Sequence, residues 1–188
     1  VCGYDTDEAK IATLAAGSSP FYEPEFEDLL AEVLSTGRLR FTMDWAELGE
    51  FGDVHFVCVN TPQRHGEYAC DMSYVDSAIA SLAPHLKGPA LVVGKSTVPV
   101  GSADRLAAYL AEHAPAGADA ELAWNPEFLR EGFAVQDTLH PDRLVYGVRD
   151  GDDASVALLD QVYAAAIADG TPRLVTDYAT SELVKVSA

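Results

Sequence analysis

Several short stretches place reactive side chains directly after apolar runs of strand length. Val1-Cys2-Gly3-Tyr4 leads into Asp5, and VHFVCV into Asn60-Thr61-Pro62. ALVV leads into Gly94-Lys95-Ser96-Thr97, and ELAW into Asn125-Pro126-Glu127. An acid at a strand end can bond the ribose hydroxyls of a dinucleotide, though Asp5 or Thr6 could equally open the next helix as its cap. Asn60 and Thr61 either face a ligand or form a plain polar turn, with Pro62 fixing its course. Ser96 and Thr97 present two hydroxyls at a sheet edge. Glu127 and Glu131 are four apart, so on a helix they would share one face, where like charges cost stability unless something uses them. Such a carboxylate pair can position water or accept a proton; the alternative is a solvated acidic face. Lys185 follows Glu182 by three, which suits a surface ion pair. A functional Lys185 would instead supply positive charge to a developing oxyanion.

The elements that must position these groups alternate between strand and helix. Strands are expected over 1–4, 39–42, 54–59, 90–93, 121–124, 144–148 and 173–176, with 54–59 buried and parallel. Helices are expected over 7–16, 23–35, 45–50, 73–86, 102–113, 154–167 and 178–188. Gly17-Ser18-Ser19-Pro20 breaks the first helix and Gly37 stops the second. Pro84 tightens or ends the 73–86 helix, and Ser102 caps the 102–113 helix. Asn125, Pro126 and Gly132 suit the cap, first turn and end of one more short helix. The pattern predicts an α/β fold, a Rossmann-like parallel sheet with helices on both faces, in which ligands gather at the carboxyl ends of the strands.

Composition narrows the chemistry. The chain has 188 residues, 48% of them hydrophobic and 22% charged, which suits one globular domain and excludes a mostly disordered chain. Thirty acidic residues against twelve basic ones give a net charge of −18. Such a surface repels nucleic acid and anionic membranes, so neither is expected as a partner. An anionic substrate would need a local basic site. No apolar run reaches the roughly 18 residues that span a membrane, and the mixed, acidic start does not read as a signal peptide. Cys2, Cys58 and Cys70 are odd in number and lack a CxxC pair, which fits a reducing cytoplasm. Cys58, in its apolar strand, reads as an inert core residue. The histidines show no HExxH spacing, so no metal is expected, and there is no GxSxG elbow. GKST is not a phosphate loop, because Gly88 stands one residue out of register and the intervening residues read as strand. No GxGxxG occurs anywhere. Either no dinucleotide binds, or the first strand and its glycine loop lie outside this sequence, which begins with Val1 rather than Met.

Taken in order, the motifs are more specific than any one alone. VCGYD, SSPFYEPEFEDLL, GRLRFT, VNTP, Asp71-Met72-Ser73-Tyr74-Val75, KSTVPVG, NPEFLREG, PDRLVYG and SELVK together resemble the UDP-glucose/GDP-mannose dehydrogenase family over almost the whole chain. The resemblance implies that residues 1–176 are an NAD-binding Rossmann-like domain lacking its first strand and glycine loop. Residues 177–188 would begin the helix leading to a central dimerisation domain. It implies NAD as cofactor, a UDP-sugar as substrate and a parent protein that is a homodimer or larger. The activity implied is oxidation of the sugar C6 alcohol to a carboxylate, with two NAD⁺ and a thioester intermediate.

By the same resemblance, Asp5 binds the adenosine ribose with Lys10 beside it, and Thr61 lines the NAD site. Thr97 stands near the catalytic water and the cofactor. Glu127 does acid/base work in thioester hydrolysis, and Glu131 contacts the nicotinamide end. Phe128 and Leu129 offer backbone to the substrate, and Lys185 steadies oxyanions. The family's nucleophilic cysteine matches neither Cys58 nor Cys70, so these residues alone are expected to show no turnover. Gly132 and Pro141-Asp142-Arg143 resemble the UDP-glucose branch more than the GDP-mannose or UDP-N-acetylhexosamine branches. A non-catalytic truncated paralogue is a rival reading. A dehydrogenase of the 6-phosphogluconate or 3-hydroxyacid type is another. Asp5 favours NAD over NADP, since a carboxylate repels a 2′-phosphate.

Overall fold

A computed structural model describes residues 1–187. Its strands are β1 (Cys2–Tyr4), β2 (Arg40–Thr42), β3 (Val54–Val57), β4 (Ala90–Gly94), β5 (Ala120–Trp124), β6 (Leu144–Gly147) and β7 (Arg173–Thr176). Its helices are α1 (Glu8–Ala15), α2 (Phe26–Ser35), α3 (Trp45–Phe51), α4 (Ser73–Leu82), α5 (Ser102–His113), α6 (Ala134–Leu139), α7 (Asp153–Val162), α8 (Ala164–Ala168) and α9 (Tyr178–Ser187). The α/β Rossmann-like architecture is the one the sequence pattern predicts. Its strands form two sheets, β1-β2 and β3-β4-β5-β6-β7. All neighbours run parallel except β5 and β6, which meet antiparallel through the single pair Trp124↔Gly147.

The larger sheet is covered on both faces, and β4 shows why. Val92 packs into one core with Val75, Ile79 and Leu82 of α4 and Leu106 and Leu110 of α5. Leu91 and Val93, pointing the other way, join Leu144, Tyr146 and Leu159 in a second core. A strand buried on both faces reads as a continuous apolar run, and each such side chain contributes about 1.5–3 kcal/mol. Gly94 ends β4 because the Trp124 ring lies against it: a Cβ there would sit 2.1 Å from a ring carbon. The glycine of GKST therefore serves close strand packing.

Several expectations are corrected. β3 stops at Val57 and is an edge strand, with Phe56 and Cys58 exposed. Alternate residues of an edge strand lose cover when nothing packs on that side. Cys58 is thus no core residue; it faces a cavity. Residues 125–133 form a loop with a turn at Glu131-Gly132, and the helix follows it as α6. Glu127 and Glu131 therefore share no helix face. The helix expected over 154–167 is two helices meeting at Tyr163. Pro84 does tighten the end of α4, into a 3-10 turn over Ala83–His85. The cap of α1 is Asp7, which accepts from Ala9 N and Lys10 N, rather than Asp5 or Thr6. Among the described residues, no helix is long and apolar enough to cross a membrane.

Candidate functional site

Two cavities lie at the carboxyl ends of the strands. The larger, about 1240 Å³, opens between the two sheets. β1 and β3 each have one partner strand and flank it with their unpaired edges. Asp5 lies at its wall, just beyond β1. Its carboxylate accepts from Asp7 N at 3.0 Å and from Lys10 Nζ at 2.6 Å. Burial pushes the Asp5 carboxyl up, but the Lys10 hydrogen bond and the backbone N–H groups outweigh it, so the net shift is downward. Lys10 is raised in turn, chiefly by its hydrogen bond to Asp5. The result is an ionised, oriented acceptor at the end of a strand, which suits the hydroxyls of a ribose.

Two hydroxyls stitch the loops after β3 and β4 together on the far wall. Thr61 donates to the Thr97 carbonyl at 2.7 Å, and Ser96 donates to the Val59 carbonyl at 2.6 Å. Ser96 is buried and its hydroxyl is committed to the fold, whereas Thr97 is exposed. Of the two hydroxyls expected at this edge, Thr97 alone is accessible. Thr61 lines the slot, whereas Thr97 lines neither cavity; the slot fits a dinucleotide in size and in its acidic strand end.

The second cavity, about 450 Å³, lies behind the 125–133 loop. Lys95, Arg130, Arg143 and Lys185 line it against Glu127, Asp137 and Asp142. Four cations against three carboxylates make a locally basic site in a strongly acidic chain. Lys185 reaches from α9 to the Glu127 carbonyl and lies 3.2 Å from its Oε1. The other oxygen of Glu127 accepts from Leu129 N at 2.6 Å. Arg143 and Lys185 sit over the Phe128 ring at 4.6 and 5.3 Å, a favourable placement for cations on an aromatic face. The structure thus brings Glu127, Phe128, Leu129 and Lys185 to one cavity. Glu131 lines neither cavity and is exposed. Asp5, Lys10 and Thr61 belong to the slot.

The surface ion pair between Glu182 and Lys185 does not form. Glu182 is 1% exposed. Its two carboxylate oxygens accept from Gly101 N at 2.7 Å and Ala103 N at 2.6 Å. Gly101 is the cap position of α5 and has no side chain to offer, so the cap arrives from α9. Ser102, expected to cap, bonds the Pro99 carbonyl instead. Burial pushes the Glu182 carboxyl up, against the pull of those backbone N–H groups. Helix α9 is also held by Tyr178, whose hydroxyl donates to Leu122 O at 2.6 Å. Ser181 lies against Gly147, where a Cβ would fall 2.0 Å from its Oγ.

Sequence reasoning missed the floor of this cavity. Lys95 Nζ donates to Asn125 Oδ1 at 3.0 Å and to Tyr163 Oη at 3.2 Å. Tyr163 Oη donates to Asn125 Oδ1 at 2.5 Å, and Asn125 Nδ2 to Val145 O at 2.9 Å. Burial pushes the Lys95 ammonium down and the Tyr163 phenol up. A second tie was also missed: Glu23 accepts from Gly132 N at 3.1 Å and Ala134 N at 2.7 Å. These partners are 20 to 111 residues apart in sequence, so no local spacing signals them. Among the described residues no group of metal-ligating side chains occurs.

Comparison with known proteins agrees with this geometry. The NAD binding domain of the UDP-glucose/GDP-mannose dehydrogenase family matches residues 1–167. A UDP-glucose 6-dehydrogenase from Rhizobium meliloti (strain 1021) is 41% identical over 181 residues, covering 96% of this chain and 41% of the relative. A UDP-glucose 6-dehydrogenase from Bacillus subtilis (strain 168) is 34% identical, over 98% of this chain and 40% of its own length. The solved UDP-glucose dehydrogenase of Pyrobaculum islandicum superposes on the whole chain with a TM-score of 0.91 at 37% identity, and 43% of that protein is covered. A GDP-mannose dehydrogenase of Pseudomonas aeruginosa superposes at 0.90 with 29% identity, again over 100% of this chain and 43% of its own. The chain therefore spans about two fifths of the relatives it matches. With its acid after β1, its slot between the sheets and its matched domain, the chain belongs to the UDP-glucose/GDP-mannose dehydrogenase family and carries that family's NAD-binding domain.

Proposed function

We propose that this chain is the NAD-binding part of a UDP-glucose 6-dehydrogenase, which oxidises UDP-glucose to UDP-glucuronate with two NAD⁺ through a thioester. The observation that carries the reading is the contact of Lys185 with Glu127 across 58 residues, in a basic cavity of an otherwise acidic chain.

In this reading Asp5, held by Lys10, accepts from the adenosine ribose, and Thr61 fixes the wall of the slot. NAD⁺ bound in the slot would supply the hydride acceptor. Lys185 neutralises charge that develops on the substrate oxygen, where a positioned cation in a dry site is most effective. Glu127, paired with Lys185, takes the proton of the attacking water, with Thr97 near that water. Phe128 and Leu129 offer backbone to the sugar nucleotide. Glu131 reaches the nicotinamide end only if its exposed loop position is drawn in. The 37% identity to a UDP-glucose dehydrogenase, against 29% to a GDP-mannose dehydrogenase, favours the UDP-glucose branch.

The whole protein is proposed to be a cytoplasmic homodimer or larger, with α9 leading into the dimerising domain. Its free thiols Cys2, Cys58 and Cys70 suit a reducing compartment. The 188 residues alone are proposed to be inactive, because none of those thiols lines the cavity of Glu127 and Lys185. The test is NADH absorbance from the full-length gene product with NAD⁺ and a panel of UDP- and GDP-sugars. UDP-glucose is expected to give the signal. A folded protein silent on every sugar would move the reading to a non-catalytic paralogue, and a response to GDP-mannose alone would move it to that branch.

A further inference from the structure

Glu182 is the most buried carboxylate with no cation on it, and the proposed chemistry makes no use of it. Burying an ion costs several kcal/mol unless its lone pairs are satisfied, so its placement calls for a reason. It spends both oxygens on Gly101 N and Ala103 N. These amides begin α5, directly after the loop that carries Thr97. Three residues beyond Glu182, one turn along the same helix, Lys185 meets Glu127. We infer that Glu182 is a positioning residue: it clamps α9 to the start of α5 and so fixes Lys185 against Glu127. Its importance for turnover rests on the proposed dehydrogenase reading; the clamp itself does not.

The geometry supports a clamp over a simple cap. A local Ser, Thr, Asp or Asn at the position of Gly101 would satisfy the α5 amides with no long-range partner. Here that position has no side chain, and the acceptor comes from 79 to 81 residues away. The other two anchors of α9, Tyr178 and Ser181, sit in its first turn and grip β5 and β6. Glu182 is the anchor nearest Lys185, and without it the later part of the helix is free to tilt.

The test uses the full-length protein and the variants Glu182→Gln and Glu182→Asp. The first keeps the size but offers one acceptor oxygen; the second keeps the charge but shortens the reach. Acetic anhydride labelling of Lys185, read by peptide mass spectrometry, reports whether its amine is held. Labelling is expected to rise several-fold in Glu182→Gln and less in Glu182→Asp, with the fold intact by circular dichroism. Ala107→Gly, which weakens α5 itself, is the control and is expected to leave labelling unchanged. In turnover, kcat is expected to fall by about tenfold or more at unchanged KM for NAD⁺, as for a misplaced catalytic group. Wild-type labelling in a folded Glu182→Gln, an equal rise in Ala107→Gly, or failure of both Glu182 variants to fold would overturn the inference. An inactive wild type would overturn the dehydrogenase reading, while labelling still decides the role of Glu182.

Discussion

The two ends of this domain are built differently. At the β1 wall of the slot, the contacts that hold the strand-end acid are local: Asp5 with Asp7 and Lys10, and Asp7 with Ala9 and Lys10. Behind the 125–133 loop, the contacts join residues far apart in sequence: Lys95 with Asn125 and Tyr163, Glu127 with Lys185, and Glu182 with Gly101 and Ala103. A local motif can hold its shape inside a partly open cavity. A long-range network exists only when the whole sheet is folded, so damage there spreads into stability as well as chemistry.

The largest effect is expected at Gly94. An Ala side chain would press on the Trp124 ring from 2.1 Å, and neither strand can move aside in a sheet buried on both faces. Overpacking costs typically about 1–3 kcal/mol and more where relaxation is blocked. Gly94→Ala is expected to lower the thermal midpoint steeply or prevent folding, as read by a circular dichroism melt. A mild loss would mean that the core around the second cavity is looser than described.

Asn125→Ala should come next. It removes the oxygen that accepts from the Lys95 ammonium, which then keeps Tyr163 alone, and the amide that donates to the Val145 carbonyl. Leaving buried polar groups short of their partners costs about 1–3 kcal/mol, measurable by urea titration. Asn125→Asp would sharpen the point, because it supplies a counter-charge to Lys95 while removing the amide donor to Val145.

A pH titration separates the ends again. Burial raises the phenols of Tyr146, Tyr163 and Tyr178, the last to about 12 from an ordinary 10.0. All three pack around the larger sheet. For a group whose folded pKa is raised, stability is fully present below its unfolded value and is lost as pH rises toward the folded one. Stability is thus expected to hold up to about pH 10 and fall above it, by about 1.4 kcal/mol per pH unit for each tyrosine involved. The Asp5 carboxyl, held below its ordinary 3.8, acts in the other direction. Its contribution is present above 3.8 and lost as pH falls through the lowered value. A pH-dependent melt that is flat through pH 11 would contradict the buried tyrosines.

The smallest effect on stability is expected from Asp5→Ala. Its pair with Lys10 is partly exposed, with side chains 30% and 42% accessible, and such pairs contribute at most about 1 kcal/mol. NAD⁺ affinity of the full-length protein, by calorimetry, should nevertheless fall about tenfold, the loss of one hydrogen bond to a charged acceptor. A stability loss as large as that of Asn125→Ala would erase the contrast between the two ends.

The contrast also explains what the sequence could convey. The strand-helix order was legible because β4 and β5 are apolar runs and α4 and α5 carry their apolar residues at helical spacing. Asp5 stood out because it follows β1 directly, while Thr61 and Thr97 lie in the loops beyond β3 and β4. The helix expected at Asn125 failed because Asn125 serves as a buried polar hub, bonded to Lys95, Tyr163 and Val145, instead of a cap. Glu182 read as the ion-pair partner of Lys185 because spacing carries no information on which side of a helix finds a distant amide. Lys95 gave no signal, since its partners Asn125 and Tyr163 lie 30 and 68 residues away.

The measurement that tests the account most directly is the number of NADH formed per UDP-glucose consumed by the full-length protein. Two NADH, with UDP-glucuronate as product, is the result predicted when Lys185 and Glu127 serve both oxidation and hydrolysis. A single NADH with release of the aldehyde, or no NADH from a folded protein, would contradict the role assigned to that pair.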